Sequence, residues 1–250
     1  MIFPRVLFIH FLILTPECFV WGQSDERVFQ EDVATAWHQR ADSHRLSVEF
    51  DEIRSSLRIA AGKEQPASPD YVTKVIKHKV TIDGKSVLHE ASPLDTPGAA
   101  NTKSQHSSWS PLARQTLFRP LFIAYAPVES VAATLGVDDF ELLESSKRFN
   151  GMGLTVVRKE VGGGRSNQFW LAPDFSYLPI RYLSRDNGKT SISMAITYIK
   201  SASNTYPELK SWSWKYYDED GTLQISCKCE VTLFEREEPT SDSAKPTSDE

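Results

Sequence analysis

The chain has 250 residues, a formal net charge of −5 and 24% charged side chains. A mildly acidic chain with no basic block is not built to hold nucleic acid, and this length can bury one sizeable core without dividing into two domains. It opens MIFPRVLFIHFLILTPECFVWG, where Arg5, an apolar run from Val6 to Leu14 and a polar break at Thr15–Glu17 have the order of a secretory signal peptide, with Val20 and Gly22 before the cleavage point. The apolar run is far shorter than the ~20 residues a membrane-spanning helix needs. The expectation is a cleaved leader over residues 1–22 and a periplasmic or secreted, monomeric product.

In DERVFQEDVATAWHQRADSH, Val28, Phe29, Val33, Ala36 and Trp37 form one apolar stripe of a helix that Asp25 caps. A strand follows in RLSVEFDEIR, where Leu46, Val48 and Phe50 alternate with Ser47 and Glu49. YVTKVIKHKVTIDGKSVLHEAS reads as a hairpin turning at Asp83-Gly84. Counting back from a turn at those two residues sets His78 opposite His89, on the apolar face with Val80 and Val87. The alternation then stops, and residues 92–111, rich in Pro, Ser and Asn, predict a long functional loop.

LARQTLFRPLFIAYAPVESVAATLG returns to helical patterning, broken at Pro120 and Pro127. From Phe140 onward seven strands are predicted, divided by turn signals at Asn150-Gly151, Gly162–Gly164, Pro173-Asp174, Asn187-Gly188 and Asp220-Gly221. Residues 236–250 are acidic and rich in Ser and Pro, a composition that predicts a disordered tail. Residues 23–235 are then one mainly β (α+β) domain. The expected fold is a strongly curved antiparallel sheet rolled into a half-open β-barrel, with the N-terminal helix and the helical segments as lid or plug on its concave face.

Such an architecture predicts an apolar cavity between sheet and helices. Leu117, Phe118, Leu121, Phe122 and Tyr125 are its expected lining, with Trp109 at the mouth. Trp170, Tyr182 and Arg181, from FWLAPDFSYLPIRY, are the sheet's contribution to ligand binding. No nucleophile elbow, zinc-helix motif or phosphate loop is present, so the chain reads as a non-enzymatic binding protein without a cofactor. His78 and His89 could share a metal only with a third ligand, and none is evident. They read instead as a rim pair whose protonation would set like charges on an apolar face. Cys227 and Cys229, at i and i+2 of a strand, read as two small, partly buried thiols, because a bridge between them would need awkward torsions.

The order of these parts resembles the outer-membrane lipoprotein carrier family (LolA-like proteins) and its superfamily of exported lipid- or lipoprotein-binding domains. The resemblance is carried by the helix with Trp37, the strand LSVEFDEI, the IDGKSVLHE hairpin, FWLAPDFSYLPIRY, the DNGKT turn, ITYIK and SWSWKYYDEDG. In the family an aromatic strand, a short Asp/Pro turn and a strand often reading "lp-R" follow one another, and Arg181 matches that arginine. Where carriers show a further hairpin, residues 92–111 stand in its place. The resemblance implies a lipid, acyl chain or lipoprotein as partner. The alternative is a structural or sensory module of the same fold, with a filled core that works by contact with another exported protein.

Overall fold

The computed structural model describes residues 30–36, 45–58, 70–83, 86–96, 98–108, 110–113, 115–125, 140–149, 151–200 and 207–237. The predicted leader, residues 238–250 of the predicted tail and Trp109 lie outside the described residues, while Arg236 and Glu237, expected to begin the tail, are instead the last two residues of a strand paired with Leu46 and Arg45. A short helix, α1 (30–36), precedes four strands, β1 (Arg45–Leu57), β2 (Tyr71–Asp83), β3 (Ser86–Pro93) and β4 (Thr102–His106). Two helical pieces follow, α2 (Ser110–Ala113) and α3 (Arg119–Tyr125). The remaining strands are β5 (Glu141–Phe149), β6 (Met152–Gly162), β7 (Arg165–Ala172), β8 (Leu178–Asp186), β9 (Lys189–Ile199), β10 (Glu208–Tyr217) and β11 (Leu223–Glu237).

All eleven strands form one antiparallel sheet in the order β4-β3-β2-β1-β11-β10-β9-β8-β7-β6-β5. The last strand, β11, inserts beside β1 and joins the two meanders. The fold is therefore mostly β with few helices, as expected. The barrel is not formed, since β4 and β5 end the strand order as separate edges and the sheet stays open.

Strand β4 corrects the reading of residues 92–111 as a loop throughout. TKSQH pairs with β3 from Val87↔His106 to Ala91↔Thr102. It shows no apolar alternation because it is a short polar edge strand, the form in which sheets blunt their edges. The first hairpin also differs from expectation. Asp83 pairs with Ser86 and Ile82 with Val87, so His78 faces Ala91 and His89 faces Val80. The turn sits one residue later than Asp83-Gly84 suggests, which leaves the histidines diagonal rather than directly opposed.

Period-two alternation sorts the strands onto two faces. On the inner face one core joins Leu46, Val48 and Phe50 of β1 to Val80 and Ile82 of β2. The same core takes in Phe169 and Leu171 of β7, Tyr182 of β8, Met194 and Ile196 of β9, and Trp212 and Trp214 of β10. Val33 of α1, Leu112 of α2, and Leu117, Phe118, Leu121 and Phe122 at and within α3 close over it, and α3 packs on β10 and β8. The five rings of FWLAPDFSYLPIRY divide accordingly. Phe169 and Tyr182 belong to the inner core, Trp170 to a separate cluster on the outer face, and Phe175 and Tyr177 pack at the corner. That corner is a single 3-10 turn, Pro173–Phe175, left through two residues with positive φ, Ser176 (53°) and Tyr177 (57°).

Candidate functional site

The inner face carries a polar seam inside its apolar core. Glu52 continues the alternation of Leu46, Val48 and Phe50, so its carboxylate enters the core and is fully buried. Four groups surround it. Arg54 Nε donates to Oε1 at 2.6 Å, His78 Nε2 donates to Oε2 at 2.8 Å, and Cys227 Sγ donates to Oε1 at 3.5 Å. Cys229 lies next to Cys227, with the two sulfurs 3.6 Å apart. Burial alone would raise the Glu52 pKa, but the bond from His78 and the charge of Arg54 outweigh it and hold the carboxyl below its ordinary value.

His78 passes the seam on to His89, with Nδ1 and Nε2 at 3.0 Å. With both rings neutral, the Glu52 carboxylate fixes the His78 proton on Nε2, so His78 Nδ1 accepts and His89 Nε2 donates. His78 stacks on Phe50 at 4.8 Å, and the Phe118 ring meets both histidines edge-on, at 4.8 Å from His89 and 5.8 Å from His78. The histidine pair thus lies directly beneath the residue that leads into α3. Burial, then the neighbouring His78 and His106, push the His89 pKa down to about 4.

Burial, then the neighbouring Cys227 and Glu52, push the Cys229 thiol up, which disfavours its thiolate. Among the described residues, no three His, Cys, Asp or Glu side chains are grouped to hold a metal ion.

Between α3 and the sheet lie hydrogen-bond donors without acceptors among the described residues. The indole Nε1 of Trp212, the indole Nε1 of Trp214 and Nη1 of Arg119, at the start of α3, are buried with no hydrogen-bond partner among those residues. Trp212 and Trp214 are two apart on β10 and share the inner face. The Arg119 guanidinium lies 5.2 Å from the centre of the Tyr182 ring, and Tyr182 is two strands from Trp214 through Met194. Tyr182 itself donates to Asn167 at 2.9 Å.

The residues expected to bind ligand therefore fall in two places. Leu117, Phe118, Leu121, Phe122 and Tyr182 come together on the inner face. Trp170 and Arg181 lie on the outer face, where they line a cleft with Leu154, Ile180 and Ala195. Tyr125 ends α3, and its side chain lies outside the described residues. Sequence reasoning missed Glu52, Arg119, Trp212 and Trp214. Extending the β1 alternation by one step would have found Glu52, and SWSW would have placed both indoles on one face.

No family model matches the chain, and no curated protein sequence does. Solved structures do match. A DUF1329 family protein from Desulfovibrio piger aligns at a TM-score of 0.50 and 11% identity, over 86% of this chain and 95% of that one. An outer membrane lipoprotein-sorting protein domain from Vibrio parahaemolyticus aligns at 0.47 and 10%, over 85% and 94%. The chain is similar in fold to the DUF1329 family protein across most of its length.

Proposed function

We propose that the chain is an exported, non-enzymatic binding domain that holds an amphiphile between the inner face of the sheet and α3. The observation that carries this reading is the set of buried donors on Arg119, Trp212 and Trp214 that have no hydrogen-bond partner among the described residues. Leaving a buried donor unsatisfied costs about 1–3 kcal/mol, and an incoming acceptor removes that penalty. A carboxylate, phosphate or ester headgroup supplies such acceptors. Its chain would displace or interleave with Leu117, Phe118, Leu121 and Phe122, gaining about 0.8 kcal/mol per methylene buried. α3 serves as the lid, and the carrier-like fold supports the same class of ligand: a lipid, an acyl chain or a lipoprotein.

The second reading is a filled-core contact module, favoured by the complete burial of Leu121 and Phe122. The test is solvent extraction and mass spectrometry of protein purified without detergent, for the native chain and for Arg119→Leu. A stoichiometric amphiphile that is depleted in the variant supports the carrier reading. Protein that is clean and also refuses a fluorescent acyl probe moves the function to protein contact.

A further inference from the structure

The outer face of the sheet has an apolar cluster of its own. Leu154, Val156, Trp170, Ala172 and Leu183 are buried together there, with Met152, Phe175 and Ile180 against them. An antiparallel sheet with one covered face ordinarily leaves the other polar. Over this cluster, between β5 and β10, opens a cleft of about 370 Å³. That volume lies within the roughly 300–1,000 Å³ of small-molecule sites.

The cleft has a defined polarity. Leu154, Trp170, Ile180 and Ala195 contribute its apolar surface, while Lys147, Arg181 and Lys215 bring three cations and no carboxylate lines it. This cationic cleft sits on a chain whose formal net charge is −5. Lys147 is paired with Glu144 at 3.2 Å on the exposed surface. Arg181 and Lys215 have no carboxylate partner among the described residues. The Arg181 guanidinium carbon lies 4.8 Å from the centre of the Trp170 ring, a cation–π contact that holds the fork over the apolar floor. The register explains the alignment: Trp170 pairs with Arg181, Arg181 with Ala195, and Ala195 with Ser213, in one row across four strands. A small alanine beside a stacked arginine leaves the space that the cleft occupies.

We propose that this cleft is a second binding site, for a single-chain amphiphile with a carboxylate head. The chain lies over Leu154, Trp170 and Ile180, and the carboxylate accepts from Arg181 and Lys215, the planar guanidinium supplying a two-pronged donor. Met194 and Trp214 of the inner core also reach the wall of the cleft, but the proposed site takes its head contacts from Arg181 and Lys215 and its tail contacts from Leu154, Trp170 and Ile180, none of which serves the inner-face reading.

Isothermal titration with dodecanoate below its micellar concentration tests the proposal, with acetate as a head-only probe and dodecyltrimethylammonium as a tail of opposite charge. Arg181→Gln and Lys215→Gln are exposed changes, and Ala195→Phe fills the cleft from the outer face without entering the inner core. Thermal melts verify that each variant folds. The expected result is a dodecanoate binding event that weakens about tenfold in Arg181→Gln and at least tenfold in Ala195→Phe, yet persists in Arg119→Leu. Dodecyltrimethylammonium should bind more weakly than dodecanoate. Wild-type affinity in all three cleft variants, binding abolished only by Arg119→Leu, acetate binding as tightly as dodecanoate, or no dodecanoate binding at all would each overturn it. Loss of the inner site alone leaves the cleft event intact, so the two readings fail separately.

Discussion

Acidification should loosen the inner face before it unfolds anything else, and His89 is the reason. Burial holds this ring near pKa 4, against 6.5 for an ordinary histidine. As pH falls through 6.5, the unfolded chain takes up a proton that the folded chain refuses. The stability contribution of the neutral ring is therefore complete above about 6.5 and declines as pH drops toward 4. At pH 5 the difference in proton uptake corresponds to about 2 kcal/mol. The ring is only half buried, and solvent screening reduces this to about 1 kcal/mol. Groups facing His89 are His78 from β2, Glu52 from β1, His106 from β4 and its own neighbour Glu90. Glu52 acts in a different window: its carboxyl is held below its ordinary 4.5, so its contribution is present above 4.5 and is lost only at more acid pH. Calorimetric melts at pH 7.5, 6 and 5 separate the two. For a chain of this size about 1 kcal/mol is roughly 2–4 °C in Tm. His89→Gln keeps a donor toward His78 and removes the titration, so its melting temperature should fall by that much less than the wild type's between pH 7.5 and 5. Equal slopes in wild type and His89→Gln, or a His89 imidazole titrating at 6.5 or above by NMR, would refute the reasoning.

Four further outcomes are expected. Phe118→Ala removes a buried ring that touches Phe50, His78 and His89, and should destabilise by about 3–5 kcal/mol in urea titrations. Bound amphiphile should offset part of that loss by filling the space. Glu52→Gln leaves Arg54 and His78 facing an amide instead of a carboxylate, and should lower stability at pH 7 by about 3 kcal/mol, an effect that shrinks in melts at strongly acid pH. Gly164→Ala meets Asn187 Oδ1 at the β6–β7 turn and must hold φ near +74°, so equilibrium unfolding should show a loss of about 1–2 kcal/mol. Cys227 and Cys229 should resist alkylation in the native protein and react after denaturation, because both sulfurs are buried and the Cys229 thiol is pushed up by burial.

Much of the sheet was legible because its strands are short apolar or alternating runs separated by turn residues, so β5 to β11 fall where the pattern puts them. SWSWK shows one buried face, whereas LTVV and FWLA are buried on both, which a continuous apolar run announces equally well. The pattern failed where burial does not drive it. β4 is an edge strand of polar residues and carries no apolar period. The first hairpin slipped because Asp83-Gly84 is a strong turn signal, while the register was set instead by Val87 seating beside Ile82. Site residues were harder, since a lining residue and a core residue have the same chemistry. Trp170 and Arg181 were grouped with Phe118 on chemistry alone, and only the strand register shows that they face the other way. Glu52 was hidden because a carboxylate reads as solvated until its strand partners place it against Arg54 and His78.

Arg181 and Tyr182 are adjacent on β8 and serve opposite faces, and this has an experimental consequence. Tyr182 reports on the inner side, under Arg119, and Arg181 on the outer side, over Trp170. Changes on the two faces share no side-chain partner, so their effects on stability should add to within about 0.5 kcal/mol. A double variant of Phe118→Ala and Ala195→Phe should therefore lose stability as the sum of its parts. Non-additivity beyond that limit would mean that the two faces communicate through the sheet, and that an amphiphile on one side changes the affinity of the other by the same coupling. Additivity would leave two independent sites, each readable with the other blocked.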